Sequence, residues 1–249
     1  MEWNLLSFLT WFGLAFAIVF FLFRYYNKRF FAAFCSNMSK GPLFRKEKKE
    51  LFARLNDEAS KAKSKKLKVL EIGGGSGSNF SFVETSVDWT VTEPNLCFEP
   101  YFIDNCKEWN DRHDIGELVE AYGEDLGKFD NESFDVVIIT LVLCSVSSVE
   151  ETLREIRRVL TPGGTFYFLE HIRAPAHDSL MRNFHDFMTN FGIWPGLFDG
   201  CCLNRESKSE IDEAGFSKVE AVHFKSQMNP WFFLYKNPIP YAVYGWATK

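Results

Sequence analysis

Residues able to do chemistry gather at a few points along the chain. The first is Val69-Leu-Glu-Ile-Gly-Gly-Gly-Ser-Gly-Ser-Asn-Phe80, an apolar run that ends in Glu71 and opens into glycines. Leu67, Val69, Leu70 and Ile72 read as a buried strand. Gly73, Gly75 and Gly77 then permit backbone angles and a close ligand approach that a β-carbon forbids. Glu93 lies 22 positions after Glu71, at the end of the short apolar strand Trp89 to Thr92. An acid about 20 residues beyond such a glycine loop is placed to accept ribose hydroxyls. Further on, His171, of the residue type that ordinarily titrates near neutrality, is the candidate base or orienter, with Asp199, before Gly200 in an aromatic loop, as the second candidate.

Two cofactor classes use a glycine loop of this kind. The dinucleotide fingerprint Gly-x-Gly-x-x-Gly fits Gly73 and Gly75, but its third place falls on Ser78. Acid-x-Gly-x-Gly-x-Gly, completed by Glu71 and Gly77, resembles the first motif of class I S-adenosylmethionine-dependent methyltransferases.

From Leu67 onward strand and helix patterns alternate, which predicts an α/β fold of βαβ units with a mostly parallel sheet. Residues 98–109 read as a helix and 117–122 as a third strand, with Gly123, Glu124 and Asp125 at its carboxyl end. Phe134 to Ile139 is an apolar strand of the kind buried on both faces. Its continuation, Thr140-Leu-Val-Leu-Cys-Ser-Val146, is expected to open over the reactive side of the cofactor. A helix over 149–160 is stopped by Thr161-Pro-Gly-Gly164, and a fifth strand, 165–169, ends in Glu170 and His171. Residues 180–191 and 205–214 read as helices flanking the aromatic loop 192–204. Two final strands, 218–225 and 241–248, are joined by a loop rich in Trp231, Phe232, Phe233, Leu234 and Tyr235. The aromatic loops are candidates for an apolar acceptor pocket, a membrane face or core. No internal repeat or low-complexity segment interrupts the pattern.

The 249 residues, 46% of them hydrophobic, suffice for one sizeable core with an appendage. The net charge of -5 hides a split. Residues 24–68 hold 14 Lys and Arg against 4 acids, and everything after Lys68 holds 14 against 28. A neck of charge +10 thus precedes a body of charge -14, an arrangement suited to an anionic membrane surface rather than to nucleic acid. Before the neck, Trp3 to Phe23 carries no formal charge, long enough for roughly the 30 Å of a hydrocarbon core. It follows Glu2 and ends in Arg24, Lys28 and Arg29, the flanks of a retained anchor rather than of a cleaved signal. The basic flank then places the body in the cytosol. Two stripes, Phe30, Phe31, Phe34 and Met38, then Phe44, Leu51, Phe52 and Leu55, read as amphipathic helices for the interface; the second could equally pack on the core over the cofactor site. The expected division is an anchor over 1–23, a basic neck over 24–66 and a catalytic domain over 67–249. Six cysteines show no Cys-x-x-Cys and no metal-ligand spacing with the five histidines, so they read as reduced, mostly buried thiols, and no metal is expected.

Taken together, the glycine loop, Glu93, Ser133-Phe-Asp-Val-Val137, Arg157-Arg-Val-Leu-Thr-Pro-Gly-Gly164 and the closing strand pair resemble a class I methyltransferase along the whole body. More narrowly, Thr140 to Val146, Phe166-Tyr-Phe-Leu-Glu-His171, Leu197-Phe-Asp-Gly-Cys201, Asn204-Arg-Glu-Ser207 and Tyr244-Gly245 resemble the membrane-associated thiol S-methyltransferases. The resemblance implies a Rossmann-like sheet of seven strands, the last antiparallel, with helices on both faces and an N-terminal hydrophobic helix. It implies S-adenosylmethionine as cofactor, a small and often hydrophobic thiol as acceptor, and the endoplasmic reticulum membrane or lipid droplets as location. Oligomeric state is not implied. The cofactor set it points to is Glu71, Gly73, Gly75, Gly77 and Asn79 after the first strand, and Glu93, Pro94 and Asn95 after the second. Gly123 and Glu124, taken as the adenine region, follow the third, and Thr140 and Leu141 the fourth. Glu93 stands where this group can carry Asp, and Tyr122-Gly-Glu124 replaces a more usual Gly-Asp-Ala-Glu. The competing functions are O- or C-methylation of a quinone or lipid, a nicotinamide-dependent reductase, and a non-catalytic membrane or lipid-droplet protein that retains the fold.

Overall fold

The computed structural model describes residues 5–39, 41, 44–62, 65–226 and 237–249. Seven strands form one sheet in the order β3-β2-β1-β4-β5-β7-β6. They are β1 (Lys68–Ile72), β2 (Asp88–Thr92), β3 (Asp114–Val119), β4 (Phe134–Thr140), β5 (Leu160–His171), β6 (Lys218–Lys225) and β7 (Tyr241–Thr248). The first five are parallel, and β7 runs antiparallel between β5 and β6. Strand order reverses between β1 and β4, so the carboxyl ends of β1 and β4 diverge into a crevice.

Apolar residues of β4 alternate between two cores. Val136 and Ile138 face a cluster with Leu51, Phe52, Phe80, Trp89 and Tyr167. Val137 and Ile139 face another with Leu153, Ile156, Phe166 and Phe168. Burial on both faces explains why the strand reads as an unbroken apolar run. Seven helices accompany the sheet among the described residues: α1 (Leu5–Ser39), α2 (Arg45–Lys61), α3 (Glu99–Trp109), α4 (Val149–Val159), α5 (Ser179–Asn190), α6 (Ile193–Leu197) and α7 (Ser207–Glu213). The α4 helix starts where Ser148 accepts the Glu151 N–H at 3.2 Å, with acids in its first turn and Arg157 and Arg158 in its last.

Three local expectations shift. The third strand runs three residues earlier than the pattern suggests. Its ladder starts where Asp114 N–H meets Val87 C=O at 3.0 Å and ends where Glu93 N–H meets Val119 C=O at 3.0 Å, so Tyr122 lies beyond it. Thr161 to Gly164 does not separate helix from strand. It is the irregular start of β5, where a register shift between Phe134 and Val136 accommodates Gly163 at φ +77°. The loop 192–204 contains α6.

The N-terminal region also differs. The α1 helix runs unbroken through residue 23, past the expected end of the anchor, and its stripe is divided: Phe30 is exposed while Phe31, Phe34 and Met38 line the central cavity. Among the described residues no helix is long and apolar enough to cross a membrane. In α2, Leu51, Phe52 and Leu55 are fully buried against the sheet. The Tyr244 hydroxyl donates to Glu50 at 2.5 Å and the Arg54 guanidinium lies 4.7 Å from the Trp246 ring centre, so β7 clamps this helix. Its apolar stripe is core and not an interfacial face. Phe52→Ala is therefore expected to lower unfolding free energy by about 3–5 kcal/mol in urea titrations; a loss under about 1 kcal/mol would show that α2 is not part of the core.

Candidate active site

The carboxyl ends of β1, β2, β4 and β5 open into a cavity of ≈ 360 Å³. Its floor is Gly73 to Gly75, and its walls are Glu93 to Asn95, Tyr122 to Glu124, Thr140 to Val142 and Cys144 to Ser147. The second half of α1 roofs it with Phe31, Phe34, Cys35 and Met38, and Lys48 reaches in from α2. His171, Trp194, Phe198, Asp199 and Cys201 close the far end.

Glu93 holds the near side. It is only 6% exposed, and its Oε2 accepts the Gly75 N–H at 3.0 Å while Oε1 accepts the Asn95 N–H at 2.9 Å. A carboxylate offers about four lone-pair sites, so acceptor capacity remains toward the cavity. Burial pushes its carboxyl up to about 7, against the two backbone donors that favour the anion. Asn95 in turn donates its side-chain amide to Asp199 Oδ2 at 2.8 Å and to the Lys28 carbonyl at 3.3 Å. One asparagine thus joins the β2 loop, the roof helix and the loop after α6.

Other predicted positions lie behind the cavity rather than on it. Glu71 is buried, and its Oε1 accepts from the Asn79 side-chain amide at 2.8 Å, which also donates to Thr140 Oγ1 at 3.0 Å. Glu71 and Asn79 therefore tie the glycine loop to the ends of β1 and β4, and neither is part of the cavity wall. Burial pushes the Glu71 carboxyl up and the nearby Lys48 ammonium down; Lys48 Nζ donates to Ser78 Oγ at 3.3 Å. Gly77, at φ +76°, packs against Phe80, whose Cε2 would lie 2.3 Å from an added Cβ. Gly73, Gly75, Glu93, Pro94, Asn95, Gly123, Glu124, Thr140 and Leu141 do line the cavity. Glu124 Oε1 accepts the backbone N–H groups of Ser147 and Ser148 at the start of α4.

Leu141 lies in the left-handed region at φ +60°, rare for a leucine. Buried Glu170 holds the turn that follows, its Oε1 accepting Val142 N–H at 2.9 Å and Leu143 N–H at 3.1 Å. That turn presents Cys144. His171 is buried with Nε2 3.1 Å from Cys201 Sγ, and the donor atoms of Cys144, His171 and Cys201 all lie within 4.8 Å of one another. A hydrogen bond with Cys201, together with burial, holds the Cys144 thiol well above the usual range. The six cysteines are free, but only Cys144 is buried, and a three-donor cluster exists that linear spacing could not display. Lys48, Cys35, Cys144 and Cys201 line the cavity, and none is among the site residues that the sequence points to. The signal available for Cys144 was its place just past a strand end. For Lys48 and Cys35, on helices that precede the sheet, there was none. The aromatic segment Trp231 to Tyr235 lies outside the described residues.

The chain is 37% identical over 228 residues to the human protein Thiol S-methyltransferase TMT1A, covering 91% of this chain and 86% of that one. It belongs to the thiol S-methyltransferase family. Mouse Thiol S-methyltransferase TMT1B is 35% identical over 204 residues, covering 82% of this chain and 78% of its own. Residues 70–168 match the family described as a methyltransferase domain. A solved structure from Thermotoga maritima, described as a SAM-dependent methyltransferase and possible histamine N-methyltransferase, superposes with a TM-score of 0.51 at 16% identity. It covers 85% of this chain and 98% of its own, a likeness of fold. This methyltransferase uses S-adenosylmethionine, and the cavity suits it. Gly73 and Gly75 present bare backbone at φ +63° and +55°, and Glu93 retains acceptor capacity for hydroxyls.

Because the Glu93 carboxyl is raised from its usual 4.5 to about 7, its contribution to stability is fully present below about pH 4.5 and is lost as pH rises through about 7. Thermal melts of the unliganded chain are expected to fall over this range less steeply in Glu93→Gln than in the parent. Equal slopes would show that Glu93 does not titrate there.

Proposed function

We propose that this methyltransferase transfers its methyl group to a small, apolar thiol and works at a membrane surface. The reading is carried by one observation: the thiol-and-imidazole cluster Cys144, His171 and Cys201 forms the end of the cofactor cavity, beside the apolar walls Phe31, Phe34, Val142, Trp194 and Phe198. The relatives, both named as thiol S-methyltransferases, support the same acceptor class.

The cofactor supplies a sulfonium-bound methyl open to in-line displacement, so alignment of the acceptor sulfur is most of what the protein must provide. In this reading Glu93 accepts the two ribose hydroxyls, while the backbone of Gly73 and Gly75 bears the rest of the nucleoside side. Pro94 and Asn95 wall the same region. Gly123 and Glu124 border the base, and Thr140 and Leu141 border the amino-acid end. Glu71, Gly77 and Asn79 act through the loop they brace. The acceptor must be a thiolate to attack, and a free thiol has pKa about 8.5. His171 is the residue placed to favour the anion, as base or orienter. Asp199, engaged with Asn95, positions the loop that carries Cys201.

The membrane reading rests on exposed apolar surface and on charge. Trp11, Leu14, Ile18, Val19 and Leu22 stand out from α1, each at least 50% exposed. Leu180, Phe184 and Phe187 of α5, with Phe191 just past its end, form a second exposed stripe. Asn27 of α1 donates to the Gly196 carbonyl at 2.8 Å, linking α1 to the segment just after that stripe. Exposed apolar stripes on helices mark candidate interaction or membrane surfaces. The basic neck adjoins them, and its attraction to anionic lipid is about 1 kcal/mol per residue near the surface. The proposed organisation remains an anchor over 1–23, a neck over 24–66 and a catalytic body over 67–249. Its location is the cytosolic face of the endoplasmic reticulum or of lipid droplets.

With labelled cofactor and a panel of alkyl thiols, phenols, quinols and amines, label is expected on the thiols; transfer confined to quinols or phenols would replace this reading with O- or C-methylation. His171→Ala should lower turnover on the order of 100-fold with cofactor affinity by calorimetry little changed; unaltered turnover would remove His171 from the chemistry. In vesicle flotation the full chain is expected to float with anionic vesicles, more weakly at high salt. A chain left in the bottom fraction with every vesicle type would overturn the membrane assignment.

A further inference from the structure

Deepening the thiol reading and resting on it, we propose that Cys144, His171 and Cys201 bind one Zn²⁺ ion whose fourth position faces the cavity and takes the acceptor sulfur.

The donors come from three separate segments: the turn after β4, the last residue of β5 and the loop after α6. Zinc holds thiolate sulfur at about 2.3 Å and imidazole nitrogen at about 2.0–2.1 Å, so donors on a tetrahedron stand roughly 3.3–3.8 Å apart. The three atoms here already lie within 4.8 Å of one another, with His171 Nε2 and Cys201 Sγ at 3.1 Å. Small side-chain rotations suffice to admit the ion.

The positions are held by hydrogen bonds that do not involve the three donor atoms themselves. Glu170 fixes the turn before Cys144. The Cys202 N–H donates to the Cys144 carbonyl at 2.8 Å, fastening the Cys201 loop to that turn. His171 is paired with Ala242 in the sheet.

Donor chemistry selects the cation. Two sulfurs and one imidazole suit zinc and disfavour magnesium and calcium, which prefer oxygen. Two thiolates also neutralise the charge of the ion in a buried place. Three protein ligands with an open position distinguish a reactive zinc site from a closed structural one, where the protein supplies four. All three residues line the cavity, so the open side is the side from which an acceptor arrives. When a thiol enters, its S–H bond breaks, a sulfur–zinc bond forms and the proton leaves to the buffer; no electron changes hands. His171 then acts as ligand and orienter of the sulfur, and the ion does the work of lowering the thiol pKa.

The test uses the full chain, kept reduced, stripped with chelator and dialysed against zinc chloride. Elemental analysis is expected to find one zinc per chain in the parent and only traces in Cys144→Ser and Cys201→Ser. Calorimetric cofactor binding in those variants confirms that they are folded. With Co²⁺ in place of Zn²⁺, a thiolate-to-cobalt absorption band is expected, and it should change when a simple alkyl thiol is added. A parent chain that methylates thiols yet holds no more zinc than the Cys144→Ser, Cys201→Ser double variant would overturn the metal site and leave the acceptor assignment standing. Stoichiometric zinc with a cobalt band indifferent to thiol would overturn the role given to the open position.

Discussion

The cavity depends on a carboxylate that stays out of water. Glu93 receives the N–H of Gly75 from one loop and that of Asn95 from another, so the glycine bend and the end of β2 are held at one spacing. Desolvating a carboxylate is unfavourable, and here two backbone donors offset part of that cost. The remainder leaves the group ready to gain from hydroxyl donors that a ligand brings. A surface acid would have less to gain, since water already serves it.

From Asn95 the same linkage spreads outward. Its amide reaches Asp199 and the Lys28 carbonyl, so the roof helix and the loop carrying Cys201 are both referred to the end of β2. Phe31 packs edge-on against Phe98 at 6.1 Å, adding an apolar contact to the polar one. The helix that carries the exposed N-terminal apolar residues therefore also closes the cavity. The α2 helix contributes from the other direction, with its apolar stripe in the core and Lys48 over the glycine loop.

At the far end, buried Glu170 plays for Cys144 the part that Glu93 plays for the glycine loop: a carboxylate, pushed up to about 7 by burial, organises two consecutive backbone N–H groups. Strain is placed where these devices act. Leu141 and Asp199, both with positive φ, flank the cluster of Cys144, His171 and Cys201. Left-handed conformations at non-glycine residues persist only where the surroundings enforce them, and the surroundings here are the two loops that close the site.

Much of this was legible in the residue order. Alternating apolar runs and helical stripes specify a doubly covered parallel sheet, because burial on both faces and on one face leave different periodicities. Glycines at 73, 75 and 77 and acids at 71 and 93 are local signals, since the backbone angles and strand ends that give them meaning lie within a few residues. The last two strands are legible for the same reason. What folding alone decided is which distant groups meet. Glu71 and Asn79 look like ligands beside the loop, yet the turn directs them behind it. The stripe of α2 has the same periodicity whether it faces lipid or core, and only the position of β7 chooses core. Cys144, His171 and Cys201 are separated by 27 and 30 residues, spacings with no period of their own, and they converge because β4 and β5 are adjacent and the loop after α6 returns across their ends. Sequence carries the short-range geometry of the chain. Proximity between remote side chains is a property of the packed sheet.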